Sequence, residues 1–203
     1  RPAAVVLDNA VPHLHRGRLV GALRDAAGRP LPTRTLVGGE GVKQIGELDH
    51  VLRWLAGVGL PRDGALVGVG GGALLDLAGL AAALWARGVR FVAVPTTLLA
   101  QCDAAIGGKT AINVGGLKNP AGAFHPASHV LADPDFLATL PRREWRSGMA
   151  ELIKAARADQ AVVERSKKRA AEYLALPQTV LETERAYVEN AFVLDEVFRR
   201  LMK

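Results

Sequence analysis

ALVGVGGGALLDLAGLAAALW, residues 65–85, reads as a short β-branched strand that breaks on three glycines and resumes as a helix. The spacing predicts a strand over Ala65–Val69 and a helix over Ala73–Trp85 so apolar throughout that it has to be buried. Between them, Gly70, Gly71 and Gly72 leave backbone N–H groups free to approach a pyrophosphate, which the helix N-terminus also attracts. Asp76 falls near the first turn of that helix, where the dipole favours a carboxylate and where it could bond ligand hydroxyls. The plainer alternative is a tight turn that needs glycine for its backbone angles, since the run is not a spaced G-x-G-x-x-G.

Outward from this unit, short β-branched runs alternate with longer amphipathic ones. Strands are expected at Ala3–Leu7, Arg34–Val37, Arg90–Val94 and His129–Leu131, and helices at Arg16–Ala26 and Val42–Leu55. Such alternation predicts an α/β domain, Rossmann-like, with a parallel sheet covered by helices. From about Arg142 strand signals cease. Helices are read at Arg142–Ala156, Glu164–Leu174 and Val180–Leu201, with Pro177 as a break. The expected division is therefore 1–140 as a nucleotide-binding domain and 141–203 as part of an all-helical one.

Charged residues cluster in loops where ligands of such sheets gather. GGEGVK carries Glu40 and Lys43, suited to a ribose and phosphates, or equally to an ordinary solvated loop. PTTLLAQCDAAIGGKTAIN runs from a proline-terminated strand into a loop bearing Thr96, Thr97, Asp103 and Lys109. GGKT is not the tail of a P-loop, because the required upstream glycine is Asp103. Lys118 and Asn119 precede Pro120 in a glycine-bounded segment read as a loop; with Lys109 they are suited to form an anion clamp. In the helix from Arg142, Trp145, Met149, Leu152 and Ala156 form an apolar stripe, and Glu144, Gly148, Glu151 and Lys154 fall on another face. Taken alone, Glu151 and Lys154 read as a surface ion pair; a metal site would need histidines from elsewhere. His125 and His129 flank Pro126 in a loop and do not read as metal ligands.

Composition narrows the partners. No uninterrupted apolar run of about 18 residues is present, so no membrane span is expected, and the first residues lack the pattern of a secretory signal. A single cysteine, Cys102, forms no internal disulfide and fits a cytoplasmic protein. The formal net charge of +6 is spread along the chain except at RSKKR, residues 165–169, and no nucleic-acid motif accompanies it.

Together, the block from Gly70 to Ala156 resembles the core of the 3-dehydroquinate synthase family of sugar-phosphate cyclases. GGGALLDLAGLAAALWARGVRFVAVPTTLLAQCDAAIGGKTAIN, LKNPAGAF and TLPRREWRSGMAELIK carry the likeness, with a weaker extension to GGEGVK. The resemblance implies an enzyme of the shikimate pathway that turns 3-deoxy-arabino-heptulosonate 7-phosphate into 3-dehydroquinate and phosphate, using NAD and a divalent metal, zinc or cobalt. It implies NAD contacts at Glu40, Lys43, Gly71, Gly72, Asp76, Thr96, Thr97, Lys118, Thr139 and Glu144. It implies substrate contacts at Asp103, Lys109, Asn119 and Lys154, a phosphate-binding Arg87 contributed across a homodimer interface, and Glu151 as a metal ligand.

Two departures accompany the likeness. LKN stands where the family usually has GKN, and no histidine follows Lys154, although the family's two other metal ligands are histidines of the C-terminal domain. The retained lysines and Glu151 favour a metal-binding part lying outside this sequence over an inactive relative. A sibling cyclase of secondary metabolism and a non-catalytic NAD-binding scaffold are the alternatives.

Overall fold

The computed structural model describes residues 2–155, apart from a few side chains that include that of Lys154. The helices expected at 164–174 and 180–201, the RSKKR run and most of the expected helical domain lie outside the described residues. Five strands, β1 (Ala3–Asp8), β2 (Thr33–Leu36), β3 (Ala65–Gly70), β4 (Arg90–Pro95) and β7 (His129–Val130), form one parallel sheet in the order β2-β1-β3-β4-β7. All five were expected from the sequence, to within two residues at each end.

Because side chains alternate along a strand, the sheet has two apolar faces. Val5, Leu7, Val67, Val69 and Val94 face one way and pack with Phe136 and with Leu19 and Leu23 of helix α1 (His13–Ala27). Ala4, Val6, Leu66, Phe91 and Ala93 face the other. There they meet Leu48, Val51 and Leu55 of α2 (Ile45–Val58) and Leu74, Leu75, Leu77 and Ala78 of α3 (Gly72–Leu84). Helices on both faces explain why the central strands are apolar on consecutive positions. The buried apolar character of α3 is as expected.

One region departs from the sequence reading. Lys109 and the Lys118–Asn119 pair, read as loop, belong to an antiparallel hairpin, β5 (Lys109–Val114) with β6 (Leu117–Phe124). Gly115 and Gly116, both left-handed with φ of 60° and 82°, supply its two-residue turn. The hairpin lies against α3 with Thr110 and Ile112 buried. Its register breaks: Ile112 pairs with Ala121 and Val114 with Leu117, so Asn113 stands opposite the three residues Lys118, Asn119 and Pro120. Such a bulge re-aims side chains, and Asn119 takes a left-handed φ of 58° within it.

Helix α4 (Arg142–Ala155) closes the described part. Trp145 and Leu152 are buried as the stripe predicts, but Gly148, expected on the other face, is buried too. A Cβ at Gly148 would come within 2.5 Å of Leu98, so the helix rests there directly on the segment after β4.

Candidate functional site

The chain leaves β1 for the edge strand β2 and then returns past β1 to β3, so the carboxyl ends of β1 and β3 diverge to open a crevice. Asp8 ends β1 and is 7% exposed. Its Oδ1 accepts the Ala10 N–H at 2.8 Å, and a Cβ at Gly38 would fall 2.0 Å from Oδ2, so only glycine fits beside it. The Asn9 amide oxygen accepts the Gly38 N–H at 3.4 Å. Neither Asp8 nor Asn9 was singled out from sequence; the available signal was an Asp-Asn pair directly after a β-branched strand.

Across the crevice, Gly71 precedes α3 with its Cβ position 3.3 Å from the Thr97 methyl. The Thr96 N–H donates to the Gly70 carbonyl at 3.0 Å, tying the end of β4 to the cradle. Thr97 Oγ1 accepts the Ala100 N–H at 3.2 Å and starts a single wide π-helical turn, Ala100–Ala104, that carries Asp103. Such turns recur at functional sites. Gly71, Gly72, Thr96, Thr97 and Asp103 are thus held together by backbone geometry.

Lys43 anchors the remainder. It is 3% exposed, and its ammonium donates to Asp76 Oδ2 and to Asn119 Oδ1, both at 2.5 Å. The plain reading of Lys43 as a solvated loop residue is overturned, because the short 3₁₀ turn Glu40–Val42 folds the lysine inward over α3. Burial pushes the Asp76 carboxyl above its ordinary value, outweighing the hydrogen bond and charge of Lys43, which pull it down. Asn113 donates from Nδ2 to Glu40 Oε1 at 2.8 Å, and its Oδ1 accepts the Asn119 N–H at 3.0 Å. The bond from Asn113 Nδ2 is the main reason the Glu40 carboxyl lies below its ordinary value. Lys118 Nζ stands 3.8 Å from Glu40 Oε1. Glu40, Lys43, Asp76, Lys118 and Asn119 therefore converge, with Asp103 close enough for its charge to be felt at Asp76.

The other expected residues are spread more widely, and Gly107, two residues before Lys109, donates its N–H to the Asp103 carbonyl at 3.1 Å. Lys109 is exposed at the opposite end of β5 from Asn113, about 13 Å away by strand rise. Arg87 sits at the far end of α3 from the cradle, roughly 20 Å along the helix, so it cannot serve Gly71 of its own chain. It is exposed in a turn where Ala86 and Arg87 both have positive φ, 49° and 63°. Thr139 Oγ1 is paired with the buried His15 at 3.0 Å, on the α1 face. Glu144 lies in the first turn of α4, half-buried. Glu151 faces the π-helical turn, where its charge, after burial and Asp103, helps push the Cys102 thiol up to about 12.

The donor chemistry fits a dinucleotide: a glycine cradle at a helix N-terminus, carboxylates at Asp8 and Glu40 for ribose hydroxyls, and Lys118 for phosphate charge. It does not by itself fit a metal. Among the described residues no three histidine, cysteine or acidic side chains are placed so that they could hold one metal ion, and His125 spends Nε2 on the Val89 carbonyl at 2.9 Å. Also among the described residues, no helix is long and apolar enough to cross a membrane.

Residues 33–147 match the family model described as 3-dehydroquinate synthase N-terminal. A 3-dehydroquinate synthase of Xylella fastidiosa (strain 9a5c) is 45% identical over 157 residues, covering 76% of this chain and 39% of that protein. ValA, a 2-epi-5-epi-valiolone synthase from Streptomyces hygroscopicus subsp. jinggangensis 5008 solved with NAD+ and Zn2+ bound, superposes with a TM-score of 0.82 at 30% identity, covering 99% of this chain and 53% of ValA. A 2-deoxy-scyllo-inosose synthase complexed with carbaglucose-6-phosphate, NAD+ and Co2+ gives a TM-score of 0.66 at 32% identity, over 76% of this chain and 42% of that one. The matched stretch spans well under half the length of the curated relative.

Proposed function

Because the chain belongs to the 3-dehydroquinate synthase family, we propose that it supplies the NAD-binding half of an enzyme that converts 3-deoxy-arabino-heptulosonate 7-phosphate into 3-dehydroquinate and phosphate. The observation that carries this reading is the buried Lys43 joining Asp76 of α3 to Asn119 of the hairpin, which brings cradle and hairpin to one crevice. Gly71, Gly72, Thr96, Thr97, Asp8, Glu40 and Lys118 hold NAD there. When bound, NAD supplies a hydride acceptor that turns a ring hydroxyl transiently into a ketone and so acidifies the neighbouring C–H.

The chain's own residues bind and orient. Asn119 presents an amide whose oxygen is already engaged by Lys43, leaving its NH₂ to donate to a substrate hydroxyl or carboxylate. Asp103, on the exposed side of its turn, accepts from substrate hydroxyls, and Lys109 and Lys154 bring cationic charge to the anionic ends of the sugar. Glu151 offers one carboxylate to a divalent metal, and the remaining ligands come from outside the described residues. Arg87, directed away from its own crevice, serves the site of a second copy in a homodimer. The working location is the cytoplasm.

The full-length protein, given NAD and a divalent metal, is expected to release inorganic phosphate from the heptulosonate phosphate, read by a phosphate assay. Lys109→Ala is expected to abolish release without unfolding the chain; near-normal turnover would mean that Lys109 is misassigned. A second reading is a sibling cyclase, favoured by the ValA superposition. Turnover of sedoheptulose 7-phosphate with none of the heptulosonate would select it. Binding of NAD with neither sugar consumed would select a non-catalytic scaffold.

A further inference from the structure

We propose that Asn113 is a positioning residue that clamps the Glu40–Lys43 turn to the bulge of β6, so that the groups reading the cofactor and those reading the sugar keep one fixed spacing. The inference rests on the reading of Glu40 and Asn119 given above. Asn113 lies at the point where β5 faces three residues of β6. Its backbone N–H donates to the Lys43 carbonyl at 2.7 Å, its Nδ2 to Glu40 Oε1 at 2.8 Å, and its Oδ1 accepts from the Asn119 N–H at 3.0 Å.

Both ends of the side chain are dictated by their partners. A carboxylate at Glu40 requires a donor, and a backbone N–H requires an acceptor, so the amide has only one usable orientation. No other side chain of this length offers a donor and an acceptor at these two points at neutral pH. Aspartate would oppose Glu40 with a second carboxylate, and alanine would release both partners. The Asn119 N–H then loses the bond that accompanies its left-handed backbone, and Lys43 alone holds its side chain. Asn113 touches neither cofactor nor sugar in this arrangement; it acts through Glu40 and Asn119.

The charge environment makes the test specific. Glu40 and Lys43 face position 113 from the turn and Lys118 from β6, with Asp76 of α3 and Asp103 of the π-helical turn behind them. In Asn113→Asp the introduced carboxyl and Glu40 would share a proton in mild acid, and the protonated oxygen would restore the missing donor. NAD affinity of the full-length protein, measured by calorimetry at about pH 8 and about pH 5, should therefore fall roughly 10- to 100-fold in Asn113→Asp at the higher pH. It should return toward the parent's at the lower one. Asn113→Ala should lose about tenfold at both. An Asn113→Asp variant that tracks the parent, or that weakens equally at both pH values, overturns the clamp. Amide exchange at Asn119 gives a second reading independent of ligand. It should quicken at least about tenfold in Asn113→Ala, and unchanged exchange overturns the clamp even if Asn113→Asp does not fold. A parent that binds no NAD would instead sink the cofactor reading, leaving the exchange experiment to decide the clamp.

Discussion

Lys43 shows how one burial event converts a loop residue into a structural hub. Its ammonium is almost wholly removed from water and is shared by a carboxylate and an amide. Removing one partner of a buried pair leaves the other charge uncompensated, so Lys43→Met should destabilise the fold by about 3 kcal/mol at neutral pH, read by chemical denaturation. The pH dependence has a defined sign. Asp76 already titrates above its ordinary 3.8, and losing Lys43 removes the groups that pull it down. A carboxyl raised in the folded state contributes stability that is full below 3.8 and lost as pH climbs through the folded value. The variant should thus be firmer in mild acid than at neutrality. Cys102, pushed up to about 12, should be alkylated at about pH 8 at least roughly 100-fold more slowly than a free thiol. The types and spacing of Glu40, Lys43 and Asp76 were readable in advance. Their mutual contact was not, because 33 residues separate Lys43 from Asp76 and only the sheet order brings them together. Asp8 escaped notice for a related reason: its importance comes from ending β1 at the crevice, a matter of topology rather than of residue type.

At the level of elements, strands and helices with a strong period were found where alternation and turn spacing placed them, and the hairpin was missed. Its Lys-Asn-Pro stretch carries the breakers of a loop, yet the bulge accommodates them: Asn119 supplies the left-handed residue and Pro120 sits where the regular ladder is interrupted. The Gly115–Gly116 pair between two runs was the usable signal. The amphipathic reading of α4 likewise placed Trp145 and Leu152 correctly but set Gly148 on the wrong side, since a missing side chain has no hydropathy and reveals itself only through what it lets in. Gly148→Ala tests this. In an exposed helix the change would stabilise by up to about 1 kcal/mol. Here the new methyl would meet Leu98 at 2.5 Å, so a net loss of about 1–3 kcal/mol is expected in thermal unfolding, with Glu144 and Glu151 displaced along with the helix.

For the whole molecule, the sheet order does most of the functional sorting. Gly71, Thr97, Asp103, Lys43 and Asn119 reach one crevice, whereas Arg87 is carried by α3 to the amino-terminal end of the same strands. If Arg87 serves a second copy, two inactive proteins can repair each other. Equal amounts of Arg87→Ala and Lys109→Ala, unfolded and refolded together, should regain about a quarter of parental turnover, because half the dimers are mixed and each of these holds one intact centre. No recovery would confine Arg87 to a role within its own chain. The turn that presents this arginine adds a consequence. Ala86 and Arg87 wind against the hand that L-amino acids prefer, an expense of about 1–2 kcal/mol apiece. Glycine in place of Ala86 would relieve that tension while adding freedom to the denatured chain, two changes of similar size and contrary effect. Calorimetry should barely register such a variant, while the guanidinium it no longer aims would wander: a lesion of reach rather than of robustness.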